Sequence, residues 1–279
     1  MDSRLEDGSR VNVVLNPIAI NGPVVTIRKF PANPVTMDML IAWKAISREA
    51  ADMIKDLVAA GYNIMVCGGT GSGKTTFLNA MSDFIPKEER IITIEDSAEL
   101  QIRGVLNLVR METRNATAEG EHSISIRDLI RASLRMRPDR IIVGEVRGEE
   151  AVDLLQSMNT GHDGAMSSGH SNSSMDMLRR LETMVLMGMD MPIQAIRGQI
   201  ASAIDILVHL GRLRDKSRRV LEITEVLPLK DDDYQLNQIF WFEETAQEEG
   251  KIIGNLSGSK KQLKNRQKLL MAGIDWETA

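Results

Sequence analysis

Residues 68–75 read Gly-Gly-Thr-Gly-Ser-Gly-Lys-Thr and fit the pattern G-x-x-x-x-G-K-[ST] in full. The spelling follows from what a polyphosphate requires. Glycines let the backbone curl until successive N–H groups point inward at phosphate oxygens. Lys74 supplies a mobile positive charge to the β- and γ-phosphates, and Thr75 offers a hydroxyl to Mg²⁺. The helix that follows presents its positive end to the same anion. Gly69, Thr70, Gly71, Ser72, Gly73, Lys74, Thr75 and Thr76 are therefore the candidate nucleotide contacts, with ATP and Mg²⁺ as the expected ligands.

Hydrolysis needs more than a cradle. A metal partner and a group that orients or deprotonates water must also face the phosphates. Ile91-Ile92-Thr93-Ile94 ends in Glu95 and Asp96, with Glu99 just beyond, and Ile141-Ile142-Val143-Gly144 ends in Glu145. In an open parallel sheet the ligand sits at the carboxyl ends of the strands, so both acidic groups would face it. Glu145 stands where the Walker-B acid is expected. Glu95 and Glu99 are both candidates for the base, and Thr75, Glu145 and Asp96 for the metal.

His162 and His170 lie in Thr160-Gly161-His162-Asp163-Gly164-Ala165-Met166-Ser167-Ser168-Gly169-His170, a spacing that brackets a short strand. His170, at the carboxyl end, is the better γ-phosphate sensor. Metal binding is the rival reading, but no third ligand or thiolate stands nearby. Arg110, Arg114, Arg127, Arg131, Arg137 and Arg147 crowd the same stretch. In a ring of subunits, one or two of them could deliver a cation across a boundary to offset transition-state charge.

The elements that must position these groups alternate. Strands are expected at 63–67, 90–95, 107–113, 140–144, 163–169 and 204–209. Helices are expected from Ser47 to Gly61 and at 75–84, 126–136, 148–158, 175–187 and 193–203. That order implies an α/β fold with a mostly parallel sheet covered by helices on both faces. Ahead of it, 11–15 and 24–29 read as two short strands, and Pro31 and Pro34 as a linker. After it, 219–229 and 235–242 read as an antiparallel pair around Asp231-Asp232-Asp233, and 260–271 as a basic helix. The expected division is 1–34, 35–214 and 215–279.

With 279 residues and only 4% aromatic residues, the core should be aliphatic and Met-rich. The net charge of −5 argues against broad nucleic-acid binding, which needs a basic footprint. Cys67 is the only cysteine, so no internal disulfide forms and a reducing compartment is expected. No apolar run approaches the roughly 20 residues that span a bilayer. Met184, Met187, Met189 and Met191 read as helix packing, with an adaptable partner surface as the sharper alternative.

Taken together, the order of motifs resembles the type II and type IV secretion-ATPase superfamily. The motifs are the glycine loop, an Asp box at Thr93-Ile94-Glu95-Asp96-Ser97-Ala98-Glu99, Gly144-Glu145, and a His box at Gly161–His170. Residues 134–147, 158–164 and 180–185 are most similar to the Tad/Flp pilus, or CpaF-like, branch. The resemblance implies a RecA-like core and a homo-hexameric ring at the cytoplasmic face of the inner membrane. It also implies ATP as fuel and a polytopic platform protein as load. It places Lys74, Thr75, Glu95, Asp96, Glu99, Glu145 and His170 in the nucleotide site, and Arg28 of Thr26-Ile27-Arg28-Lys29-Phe30 within reach of it. Residues 1–30, from Asp7-Gly8-Ser9-Arg10-Val11-Asn12, match only the last strands of the family's N-terminal domain. A shortened, inactive nucleotide-binding subunit is thus the second expectation, and a nucleic-acid translocase the third.

Overall fold

The structure, a computed structural model, describes residues 2–6, 8–29, 33–114 and 123–276. The expected linker residue Pro31 lies outside the described residues. The chain forms two compact units, residues 1–34 and 35–279.

The first unit is an antiparallel sheet of β1 (Asp2–Arg4), β2 (Arg10–Val14) and β3 (Val24–Arg28), in that order. Val11 faces Ile27 and Val13 faces Val25 across the β2–β3 ladder. Only two strands were expected here. Asp2-Ser3-Arg4 has no strand propensity of its own and is held by pairing with Arg10–Asn12.

The second unit begins with α1 (Met37–Ala42), α2 (Arg48–Ala59) and β4 (Ile64–Gly68). Helix α3 (Lys74–Ser82), β5 (Arg90–Glu95), β6 (Asn107–Glu112), α4 (Ile126–Ser133) and β7 (Arg140–Val143) follow. Next come α5 (Ala151–Asn159), β8 (Met166–Gly169), α6 (Ser174–Gly188), α7 (Ile193–Ala203) and β9 (Ile206–Arg212). The chain ends with β10 (Arg218–Lys230), β11 (Asp233–Glu248), β12 (Lys251–Gly258) and α8 (Gln267–Met271). All nine strands make one sheet in the order β12-β11-β10-β9-β4-β8-β7-β5-β6. From β9 to β6 the neighbours are parallel; β9, β10, β11 and β12 pair antiparallel.

Buried strands feed two cores because side chains alternate across a pleat. Ile64 and Val66 of β4 join the cluster with α2 and α3, while Met65 and Cys67 join the one with α5, α6 and α7. Helix starts follow side-chain caps: Ser47 accepts from the Ala50 N–H, Ser173 from Asp176, and Ser125 forms a reciprocal box with Asp128.

Three expectations change. Helix α1, capped by Thr36, precedes the first helix anticipated from the sequence. The C-terminal strand pair is three strands, β10 to β12, and they extend the main sheet. The basic helix over 260–271 is broken, with only a 3₁₀ turn at 260–262 before α8. Its interior N–H groups have a better acceptor. The buried Glu225 carboxylate takes the Lys264 and Asn265 N–H groups at 3.0 and 2.6 Å, and the Tyr62 hydroxyl donates to the Asn265 carbonyl. Similarly, α5 begins at Ala151 because the Glu150 carboxylate collects the Arg147 and Gly148 N–H groups into a turn first.

Candidate functional site

Four neighbouring parallel strands bring the site together at their carboxyl ends. Strand β4 leads into the glycine loop, β8 into His170, β7 into Gly144-Glu145, and β5 ends on Glu95. Gly68 leaves β4 at φ +149°, and a Cβ there would lie 2.2 Å from the Leu210 carbonyl oxygen. Gly73, at φ +100°, starts α3. Both positions need glycine's conformational freedom. The Ser72 hydroxyl is buried inside the loop without a hydrogen-bond partner. A buried orphan of this kind fits a cradle built for a polar guest.

Lys74 is only 8% exposed. Its ammonium donates to the carbonyls of Gly68 and Gly69 at 3.0 and 3.1 Å. Burial pulls its pKa below the usual lysine value, and the nearby Glu145 charge opposes the shift. The same nitrogen lies 3.2 Å from His170 Nδ1. An ammonium can only donate, so Nδ1 must accept, and the ring proton belongs on Nε2. That Nε2 lies 2.7 Å from Glu145 Oε1, a buried oxygen with no other partner. The neutral ring agrees with the electrostatics. Burial is the first cause of the lowered His170 pKa; Glu145 opposes it, and Lys74, Arg147 and Arg180 add to it.

The chain of contacts continues. Arg147 Nε and Nη2 both donate to Glu145 Oε2, at 2.8 and 2.5 Å, and Nη1 reaches Asp96 at 3.4 Å. Asp96 also accepts from the Thr113 hydroxyl at 3.1 Å. Glu95 turns away from this chain. It is 4% exposed, and its Oε1 accepts the Glu99 and Leu100 N–H groups at 2.8 and 2.9 Å. Burial raises its pKa, and those two N–H groups oppose the rise. Its Cγ would be 2.9 Å from a Cβ on residue 144, which is why β7 continues into glycine. Glu95 thus shapes the loop that carries Asp96 and Glu99.

The remaining residues singled out by sequence divide. Arg110 donates to the Leu100 carbonyl at 3.0 Å, supporting the same loop. Arg127 and Arg131 clasp Asp153, each at 2.7 Å, and so tie α4 to α5. Arg114 sits opposite Ile124 in an isolated bridge, and Arg137 lies exposed between α4 and β7 at φ +52°. Arg28 ends β3 of the first unit. Among the described residues no group of three or more His, Cys, Asp or Glu side chains is placed to hold a metal. Of the methionines, Met184 is buried, Met189 and Met191 pack partly against the core, and Met187 is exposed.

Sequence reasoning missed Arg218. From the start of β10 it donates Nε to the Gly71 carbonyl at 2.8 Å, pinning the tip of the glycine loop. A contact spanning 147 positions leaves no local signal. Arg147 was visible only as one arginine in a crowd.

Residues 1–262 match the family described as type II/IV secretion system protein. A putative conjugal transfer protein of Mycobacterium tuberculosis is 43% identical over 217 residues, covering 77% of this chain and 60% of the relative. The chain thus spans about 60% of the length of that relative. Conjugal transfer protein TrbB of Rhizobium radiobacter is 34% identical over 242 residues, covering 86% of this chain and 71% of its own. The VirB11 ATPase of the Brucella suis type IV secretion system, solved with sulphate, superimposes with a TM-score of 0.56. It is 28% identical, over 81% of this chain and 73% of that one. The second unit has the RecA-like α/β fold of such ATPases. No described helix is long and apolar enough to cross a membrane.

Proposed function

Because the chain belongs to the type II/IV secretion system protein family, we propose that it is an ATP-hydrolysing motor subunit of a secretion or pilus-assembly machine. One observation carries the proposal: Lys74, His170 and Glu145 form a hydrogen-bonded chain at the mouth of a glycine cradle. Each group suits phosphoryl transfer, where positioning and electrostatics do most of the work.

The N–H groups of 69–76 line the phosphates, and Lys74 exchanges two backbone carbonyls for phosphate oxygens. His170 keeps its Nε2 proton, so it can donate without adding charge. Glu145 and Glu99 orient and deprotonate water, while Glu95 holds the loop between them in shape. Thr75, Glu145 and Asp96 are the residues that would hold Mg²⁺, which supplies charge neutralisation at the phosphates. Arg147 sets the spacing of Glu145 and Asp96. Arg110, Arg114, Arg127, Arg131 and Arg137 are the candidates for a cation offered to a neighbouring subunit, with Arg127 and Arg131 also tied to Asp153.

The partners inferred with it are a homo-hexameric ring, peripheral at the cytoplasmic face of the inner membrane, and a polytopic platform protein as load. Assignment to a Tad/Flp-type pilus machine rests on the wording of residues 134–147, 158–164 and 180–185.

Steady-state hydrolysis of Mg-ATP by the chain and by Lys74→Ala, with nucleotide binding measured in parallel, tests the proposal. Turnover that disappears in the variant is expected. ATP binding without turnover at any protein concentration would instead make the chain an inactive nucleotide-binding subunit.

A further inference from the structure

Beside the site, α6 borders a cleft of ≈ 460 Å³ that the glycine cradle does not use. Its walls include His170 and Arg147, both members of the hydrolytic chain, together with Arg179 and Arg180. The last two differ from the other arginines of this region. No described residue hydrogen-bonds or ion-pairs with either guanidinium, whereas Arg127, Arg131 and Arg147 all have carboxylate partners. They are exposed, but their backbone is not free to drift. Helix α6 is capped by Ser173, buries Leu178 and Leu181 on either side of the pair, and ends at Gly188 against the Glu149 carbonyl. Two guanidinium groups without carboxylate partners, Arg179 and Arg180, therefore line the cleft with one carboxylate, Asp176, while Arg147 on the same wall is held by Glu145.

We propose that this cleft is an orthophosphate site through which the phosphate product leaves, held by Arg179 and Arg180 after it passes His170. The inference rests on the hydrolytic reading above and names where one of its products goes. Guanidinium forks match the tetrahedral oxyanion, because each offers paired N–H donors in a fixed plane. The single carboxylate chooses between anions. Orthophosphate near neutral pH still carries an O–H, which Asp176 can accept. A carboxylate from a neighbouring protein has no proton to offer and would meet Asp176 as a like charge.

The test measures phosphate directly and does not depend on turnover. Radiolabelled orthophosphate is dialysed to equilibrium against the full chain saturated with Mg-ADP, and against the Arg179→Ala/Arg180→Ala double variant. Both sites are on the solvent side of α6, so the variant should keep its far-ultraviolet circular dichroism. Phosphate affinity should fall roughly tenfold or more, with ADP affinity unchanged. Arg180→Lys, which keeps the charge and loses the fork, should fall between the two. Absence of phosphate binding to the unaltered chain would overturn the assignment, as would equal binding by the double variant or a parallel loss of ADP affinity. So would a smaller assembly of the variant by light scattering, which would give the arginines to a neighbouring copy. Phosphate binding in a chain that fails to hydrolyse ATP would leave this site standing and remove the enzymatic reading alone.

Discussion

At the amino-terminal edge of the parallel strands, Arg140 donates to both oxygens of Glu89, at 2.7 and 2.8 Å, and to the Val58 carbonyl. Nearby, Lys268 bridges Asp205 at 2.8 Å and Asp163 at 2.7 Å. At the carboxyl-terminal edge of the same strands, Lys74 rests on two backbone carbonyls and a neutral histidine, while Ser72 Oγ and Glu95 Oε2 are buried without partners. The residue types are alike, but Lys268 meets two carboxylates and Lys74 touches none directly. Closed ion pairs lose more by being broken than they contribute when formed, so they fix a geometry. A site whose donors and acceptors suit an anion trades some stability for binding. The amino edge should therefore govern folding and the carboxyl edge turnover.

Substitutions can break that division, beginning with the largest effect. Lys74→Ala should reduce ATP turnover by about 1000-fold while leaving thermal stability unchanged or slightly higher, since a buried cation is removed. Parallel activity and melting measurements would show it. Glu145→Gln should lower kcat by roughly 100-fold with nucleotide affinity retained, read by single-turnover kinetics. At the other edge, Arg140→Ala leaves the Glu89 carboxylate without its fork and should cost about 3 kcal/mol in denaturant unfolding. Nucleotide affinity should stay the same per folded molecule.

Lys268→Met should cost about 2 kcal/mol near neutral pH, and the deficit should shrink in acid. The sign follows from Asp205, whose pKa is raised by burial and held back by Lys268. An acid raised in the folded state destabilises above its unfolded pKa, most fully above the folded one. Removing Lys268 widens that window upward, so unfolding at pH 5 and pH 7.5 should differ more in the variant than in the unaltered chain. Arg218→Ala is the smallest expected change. It should loosen the tip of the glycine loop and raise KM for ATP about fivefold, with kcat nearly constant. A fall in kcat alone would place Arg218 nearer the chemistry than its contact with Gly71 suggests.

The two edges were also unequally visible in the sequence. Much of the carboxyl edge is written in contiguous words, because a phosphate cradle must be made by successive backbone amides. Residues 68–75 stand out as candidates for that reason, and an acid at the end of an apolar run makes Glu145 another. The amino edge is assembled from distant single residues: Arg140, Glu89, Asp205 and Lys268 have no motif that joins them. The same blindness hid Arg218. Strand β12 escaped because Gly254, Asn255 and Ser257 dilute its pattern, and it exists through pairing with β11. The 260–271 helix was expected from amphipathic spacing, which cannot foresee the Glu225 carboxylate capturing two of its N–H groups. Glu95 and Asp96 were both expected to face the phosphates, Glu95 as a candidate base and Asp96 as a candidate metal partner. The fold separates them, turning Glu95 into its own loop and leaving Asp96 beside Arg147.

A crystal structure with Mg²⁺ and a non-hydrolysable ATP analogue tests the contrast at its centre. The ammonium of Lys74 should leave the Gly68 and Gly69 carbonyls for the β- and γ-phosphates, while the Arg140–Glu89 and Lys268–Asp205 pairs stay as they are. An analogue bound elsewhere, with that lysine still seated on its two carbonyls, would contradict the account.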